Sequence, residues 1–206
     1  MPAGQEIERK YLLSGAPSEV ELAELGARPH RIEQVYLRSE DGWVRRVRRV
    51  EAGGRTRYIA TRKREIAGIV REEHEEELDA AAYDRIVAEA DPERRTIRKV
   101  RHVFPFGGHV MELDVFDVPP GLVLLEVELE DAPDVPALPP ILLERLVREV
   151  SLETAYMNHE LARRPASGRL IGRATTPPRL TRGLVGLDGG HPSAARSARE
   201  GAKPGT

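Results

Sequence analysis

Short stretches in which apolar and polar residues alternate recur along the chain. In the first of them, EIERKYLL at residues 6–13, an extended strand places Glu6, Glu8 and Lys10 on one side and apolar residues mainly on the other. One such strand is typical of an antiparallel sheet with one face in water. A set of strands that all carry charge on the same face would instead line an enclosed space, so the other strands decide between the two.

The same alternation predicts six further strands, separated by turn-forming residues such as EDG, EAGG, Gly107-Gly108 and Pro119-Pro120-Gly121. They span residues 31–39, 43–50, 55–63, 96–104, 109–118 and 121–131. Connections this short favour an antiparallel meander.

Residues 69–92 allow two interpretations. Glutamate favours helices, and Val70, His74 and Leu78 fall on one helical face, which would make the segment one long helix. Alternatively a strand runs through Leu78 and is followed by a helix that Asp79 caps and that ends before Pro92. The second interpretation brings the number of predicted strands to eight.

Helices are predicted at three other places. In APSEVELAEL, Ser18 is a candidate N-cap with Glu21 three residues later, as in a capping box. The segments 141–150 and 151–164 are predicted to form helices that close the body. Ser151 is a candidate cap for the second, although Thr154 stands where a capping box has Glu or Gln.

Composition and charge divide the chain in two. Residues 165–206 contain seven Arg or Lys against two Asp or Glu, a net charge of +5, and since the whole chain carries -2, residues 1–164 carry -7. The basic segment is rich in Gly, Pro, Ser and Ala without periodicity, so we expect a disordered tail after a single domain of residues 1–164. The tail is either a solvated extension or a weak contact for nucleic acid or polyphosphate. The acidic body offers no argument for binding nucleic acid.

Several classes of protein are excluded or disfavoured. The chain has no cysteine, which excludes disulfides, thiolate metal sites and cysteine nucleophiles. No apolar run has the length of a signal peptide core or a membrane span, so a cytoplasmic protein without membrane contact is expected. The oligomeric state is left open.

Charged residues occupy alternate positions on nearly every predicted strand. The carboxylates on these faces are Glu6, Glu8, Glu73, Glu75, Glu112, Asp114, Glu126 and Glu128, and the cations are Lys10, Arg46, Arg48, Lys63, Lys99 and Arg101. Burying so many ions in a dry barrel would cost several kcal/mol each. A barrel with these faces inward must therefore contain water, metal and counter-ions. Arg and Lys suit phosphate groups, and clustered carboxylates suit Mg²⁺ or Mn²⁺.

The ordered motifs resemble a known family. EIERKYL is similar to the ExExK signature that opens the CYTH domains, or triphosphate tunnel metalloenzymes. The resemblance continues, over residues 5–164, through QVYL, RVR, TRK, REEHEEEL, IRKVR, MELDVF, GLVLLEVELE and AYMNHELA. It implies an α+β fold in which a closed eight-stranded antiparallel β-barrel with flanking helices binds a triphosphate with one or two divalent cations.

The resemblance also implies a role for each charged residue. Glu6, Glu8, Glu126 and Glu128 would hold the metal with help from Asp114 and with Glu112 nearby. Lys10, Arg46, Arg48, Lys63, Lys99 and Arg101 would bind phosphates, and Glu73 and Glu75 would serve further along the lumen as metal or orienting groups. Glu6, Glu8, Lys10 and Lys63 are the expected catalytic residues. His74 and His102 fall on the opposite face and are expected outside the lumen.

Three functions are consistent with this set of residues. The first is hydrolysis of inorganic triphosphate or a small organic triphosphate, with Mg²⁺ or Mn²⁺ as cofactor. The second is an adenylate cyclase, which would need a pocket for adenine that no motif in the sequence indicates. The third is a polyphosphate-binding module without catalysis, which the full set of carboxylates disfavours.

Overall fold

The structure is a computed structural model that describes residues 4–163. It contains nine strands, four helices and a 3₁₀ turn. The strands are β1 Gln5–Leu13, β2 Arg28–Tyr36, β3 Val44–Ala52, β4 Arg55–Ala67, β5 Val70–Leu78, β6 Ile97–Phe106, β7 His109–Val118, β8 Val123–Glu128 and β9 Leu146–Glu149. The helices are α1 Glu19–Glu24, α2 Ala80–Val87, α3 Pro140–Leu143 and α4 Asn158–Leu161, and the 3₁₀ turn is Thr154–Tyr156. None of the helices in the described part of the chain is long and apolar enough to cross a membrane.

Eight of the strands close into an antiparallel barrel. Their order around the sheet is β5-β4-β3-β2-β6-β7-β8-β1, and β1 then pairs with β5 through Gln5 opposite Glu72 and Ile7 opposite Val70. A closed barrel separates an inner from an outer face, so alternate residues on each strand point into the lumen. The predicted fold class is confirmed.

The segment 69–92 contains β5 followed by α2, so the single long helix is wrong. Residues Val70 to Leu78 pair with β4 along most of their length, and this ladder outweighs the helix propensity of the glutamates. Asp79 caps α2 as predicted, because its carboxylate accepts a hydrogen bond from Ala82 N at 2.7 Å.

The helix predicted over residues 141–150 is wrong beyond Leu143. Only α3 is helical, and β9 adds to the edge of β1 that β5 leaves free beyond Ile7, with Tyr11 opposite Glu149. Ser151 does not cap a helix either, since its hydroxyl accepts a hydrogen bond from Lys10 N at 2.9 Å. The helix predicted over 151–164 is reduced to the 3₁₀ turn and α4.

The largest apolar core lies outside the barrel wall. Outward-facing residues of β6, β7 and β8, among them Phe104, Leu113 and Leu125, are buried beneath Leu22 of α1 and Leu142 of α3. Since the apolar core is built on the outer face, the inner face is left for polar residues.

A second apolar cluster occupies part of the inner face. It includes Ile97, Phe116 and Leu124, which share their strand faces with the lumen residues, and it packs against Leu161 and Ala162 of the C-terminal segment. The charged part of the lumen therefore borders an apolar packing layer on which α4 rests.

Candidate active site

A cavity of about 640 Å³ lies in the barrel lumen. It is lined by thirteen of the fourteen charged residues that the sequence singled out, which come from β1, β3, β4, β5, β6, β7 and β8. These are Glu6, Glu8, Lys10, Arg46, Arg48, Lys63, Glu73, Glu75, Lys99, Arg101, Glu112, Glu126 and Glu128. The closed barrel thus brings residues more than 120 positions apart into one cavity.

Asp114 is the predicted residue that does not line the cavity. Its side chain is fully buried and accepts two hydrogen bonds from Arg101, both at 2.8 Å, and one from Lys99 at 2.5 Å. Both carboxylate oxygens are therefore engaged by cations of β6, and Asp114 supports Lys99 and Arg101 from behind the cavity wall.

Glu126 links the buried cations of β1 and β6. It lies 2.8 Å from Lys10 Nζ and accepts a hydrogen bond from Arg101 Nη2 at 2.5 Å. Lys10 Nζ also lies 3.3 Å from Glu8. This network holds Lys10, Arg101 and Glu126 in fixed positions, because each ion depends on the others for compensation of its lost hydration.

The pKa values of this network follow from burial and pairing. Burial alone would raise the pKa of Glu126, but Lys10 and Arg101 outweigh it and hold that pKa well below its usual value. Burial likewise opposes the charged form of Lys10, yet Glu126 and Glu8 raise the pKa of that lysine. Burial and the neighbouring Arg101 lower the pKa of Lys99. Lys10 and Glu126 therefore form an ion pair at neutral pH.

A second group of ion pairs lies on β3, β4 and β5. Arg46 donates a hydrogen bond to Glu73 at 3.1 Å, and Arg48 donates one to Glu75. Lys63 contacts Glu6 and lies 3.6 Å from Glu73. Each cation of this group has a carboxylate partner on another strand of the barrel, so these ion pairs connect β3 to β5 and β4 to β1 across the lumen.

The carboxylates near β1 and β8 suit a divalent cation by their chemistry. Glu8 stands directly opposite Glu128 in the β1–β8 ladder. Burial raises the pKa of Glu128, and the carboxylates of Glu6 and Glu112 raise it further, which shows that negative charge is in excess here. Carboxylates are hard oxygen ligands of the kind that Mg²⁺ and Mn²⁺ prefer.

These carboxylates do not form a ready-made metal cage. Among residues 4–163, no group of three acidic or histidine side chains converges on one point. Lys63 at Glu6 and Lys10 at Glu8 and Glu126 occupy the places where a metal would compete. To bind here, a metal ion would therefore have to replace these lysine side chains at the carboxylates.

Sequence reasoning missed several residues that line the cavity. Gln34 and Tyr36 of β2 are buried there, and the Gln34 amide donates a 2.7 Å hydrogen bond to the Tyr36 hydroxyl. Burial raises the pKa of Tyr36 to about 12, although Arg46 counteracts it, so the phenol stays neutral. The alternation that identified the charged positions also places both residues on one face of β2. Asn158 and His159 of α4 line the cavity too, but no periodicity indicated them.

The histidines follow the prediction. His74 and His102 do not line the cavity. His74 lies on the outer face of β5, where its ring is 5.5 Å from that of Trp43.

The closed barrel with a charged lumen is a tunnel architecture suited to a polyanion and its counter-ions. The chain resembles the CYTH, or triphosphate tunnel metalloenzyme, superfamily in its fold as well as in the order of its motifs.

Comparison of the sequence with protein-family models gives no match, and comparison with curated proteins gives none either. Solved structures do match. The crystal structure of the inorganic triphosphatase NE1496 is 27% identical, covers 76% of this chain and 97% of its own, and has a TM-score of 0.49. PH1819 from Pyrococcus horikoshii OT3 is 18% identical over 61% of this chain and 79% of its own, with a TM-score of 0.46. HpAC1 from Hippeastrum, described as having a dominant triphosphatase activity, is 19% identical over 61% and 80%, with a TM-score of 0.44.

Proposed function

We propose that this protein hydrolyses a triphosphate, either inorganic triphosphate or a small organic triphosphate, with the help of Mg²⁺ or Mn²⁺. The observation that carries the proposal is the convergence of six cations and seven carboxylates on one cavity of about 640 Å³. The 27% identical structure is that of an inorganic triphosphatase, which agrees with the proposal.

The cations supply the phosphate site. Lys99 and Arg101 are fixed by the buried carboxylate of Asp114, so they present positive charge without reorganisation when the substrate enters. Lys10 would turn to the phosphates where a metal takes its place at Glu8 and Glu126. Arg46 and Arg48 add guanidinium groups from β3, and guanidinium geometry suits phosphate oxygens. The catalytic demand in phosphoryl transfer is mostly positioning and charge stabilisation, which this arrangement provides.

Glu6, Glu8, Glu126 and Glu128 would hold the metal. When bound, the metal would neutralise phosphate oxygens and favour deprotonation of a coordinated water. Lys63, which now contacts Glu6 and Glu73, would stabilise the negative charge that develops on the departing phosphate. No side-chain nucleophile is needed.

The test is a parallel assay of purified protein with inorganic triphosphate, ATP and thiamine triphosphate. Each is incubated with Mg²⁺, with Mn²⁺ and with a chelator, while phosphate, pyrophosphate and cyclic AMP are measured. We expect phosphate release that depends on metal and is lost in Glu6→Gln.

Other products would identify another function. Cyclic AMP with pyrophosphate would make the protein a cyclase. Binding of triphosphate without turnover of any of the three compounds would leave the polyphosphate-binding module.

A further inference from the structure

Two glutamates of β5 accept hydrogen bonds from the guanidinium groups of β3. Arg48 donates a hydrogen bond from Nη2 to Glu75, whose same carboxylate oxygen accepts a 3.0 Å hydrogen bond from Thr61 Oγ1. Both Arg48 and Glu75 line the cavity. A phosphate that binds Arg48 therefore competes with a carboxylate that already pairs with it.

Arg48 has hydrogen-bonding capacity to spare. Its Nε is buried and has no hydrogen-bond partner among the described residues, and the same holds for Nε of Arg46. Burial, followed by the charge of Arg46, lowers the pKa of Arg48 to about 10, while Glu75 acts in the opposite direction. Glu75 is thus the anion that pairs with Arg48 and compensates its charge.

Glu75 can be displaced from its cation more easily than the buried carboxylates of the cavity can. Its side chain is 43% exposed, whereas that of Glu126 is 4% exposed and is held by two cations. An exposed carboxylate regains hydration when it leaves its partner, so the exchange costs little. A buried one would lose its compensation, so Glu126 stays in place.

We propose that Glu75 is an internal competitor of the substrate, a counter-ion that a phosphate group displaces from Arg48 on binding. The inference rests on the proposed function, and it gives Glu75 a role other than metal binding or orientation. Glu75 must leave Arg48 before a phosphate group can take its place. The apparent affinity for triphosphate is therefore lower than the intrinsic affinity, in proportion to the fraction of molecules in which Arg48 is not paired with Glu75.

The substitution Glu75→Gln tests this role, because it removes the charge while it keeps the size of the side chain. We expect inorganic triphosphate to bind up to roughly fivefold more tightly, since an ion pair with a partly exposed member is worth up to about 1 kcal/mol. A metal ligand or orienting group would show the opposite, a loss of turnover without tighter binding.

Glu77→Gln is the matched control. Glu77 lies two residues further on the same face of β5, is 61% exposed and pairs with Arg57 at 3.4 Å, and it does not line the cavity. The Glu77→Gln substitution removes the same charge from the same strand, so it reports any general electrostatic effect of losing one carboxylate. We expect its affinity for triphosphate to match that of the unmodified protein.

Titration calorimetry with inorganic triphosphate in a chelator, with no divalent metal, measures the affinity independently of turnover. Thermal denaturation with and without triphosphate provides a second readout, and ligand-induced stabilisation should be greater in Glu75→Gln than in the other two proteins. Equal or weaker binding by Glu75→Gln, or equal tightening in Glu77→Gln, would overturn the inference. If the unmodified protein binds no triphosphate with or without metal, the proposed function fails and the inference with it.

Discussion

At the scale of single residues, the buried network around Glu126 contributes to stability as well as to the site. The Glu126 carboxylate forms ion pairs with Lys10 and Arg101, and the Glu126 side chain is 4% exposed. Replacement by Gln leaves two buried cations partly uncompensated, so we expect Glu126→Gln to lower the free energy of unfolding by about 3 kcal/mol. Urea denaturation measures this change.

The control for that prediction is an ion pair on the outer face of the barrel. Glu33 accepts a hydrogen bond from Arg98 at 3.0 Å, and both side chains are exposed. Glu33→Gln should change the free energy of unfolding by less than about 1 kcal/mol. Equal losses in the two variants would contradict the view that the lumen network is special.

Asp114 allows a distinction between metal binding and support of the phosphate site. Asp114 contacts Lys99 and Arg101 and does not line the cavity. Because Asp114→Asn weakens the charge-assisted hydrogen bonds to these cations, we expect it to raise the KM for triphosphate roughly tenfold, which corresponds to about 1.4 kcal/mol. The metal concentration for half-maximal activity should change little, whereas Glu128→Gln should raise it. Steady-state kinetics at varied metal concentration separate the two. A raised metal requirement in Asp114→Asn would instead support a direct role at the metal.

At the scale of elements, α1 illustrates what local sequence determines. Ser18 Oγ accepts a hydrogen bond from Glu21 N at 3.4 Å, and the Glu21 carboxylate accepts one from Ser18 N at 2.6 Å. We expect Ser18→Ala to lower the free energy of unfolding by about 1 kcal/mol, because the capping bond is lost and Leu22 of the same helix covers the outer core. Chemical denaturation tests it, with the exposed Ser39→Ala as control. A change no larger than that of Ser39→Ala would show that the cap is not needed.

The strands and helices also differ in whether the local sequence could predict them. The alternation alone left β5 open between a strand and a helix. The capping signals at Ser18 and Asp79 and the alternation in the other seven barrel strands act within a few residues, so they could be recognised directly. β9 could not, because residues Leu146–Glu149 are extended only to pair with an edge of β1 that is more than 130 positions away. The pairing of cavity charges was also hidden, since alternation gives the face of a residue but not its partner.

At the scale of the whole molecule, the closed barrel and its cavity are complete within residues 4–163. The predicted basic tail, residues 165–206, lies outside the described residues, and its net charge of +5 contrasts with the acidic body. If the tail is a solvated extension, truncation after Arg164 should leave kcat and KM for triphosphate within about twofold at physiological salt, where charges more than about 8 Å apart are largely screened. Kinetics of the two forms at low and at physiological salt provide the measurement. A change in KM at low salt alone would mean that the tail attracts the anion at long range, and a large loss of kcat would contradict the assignment of the active site to the barrel alone.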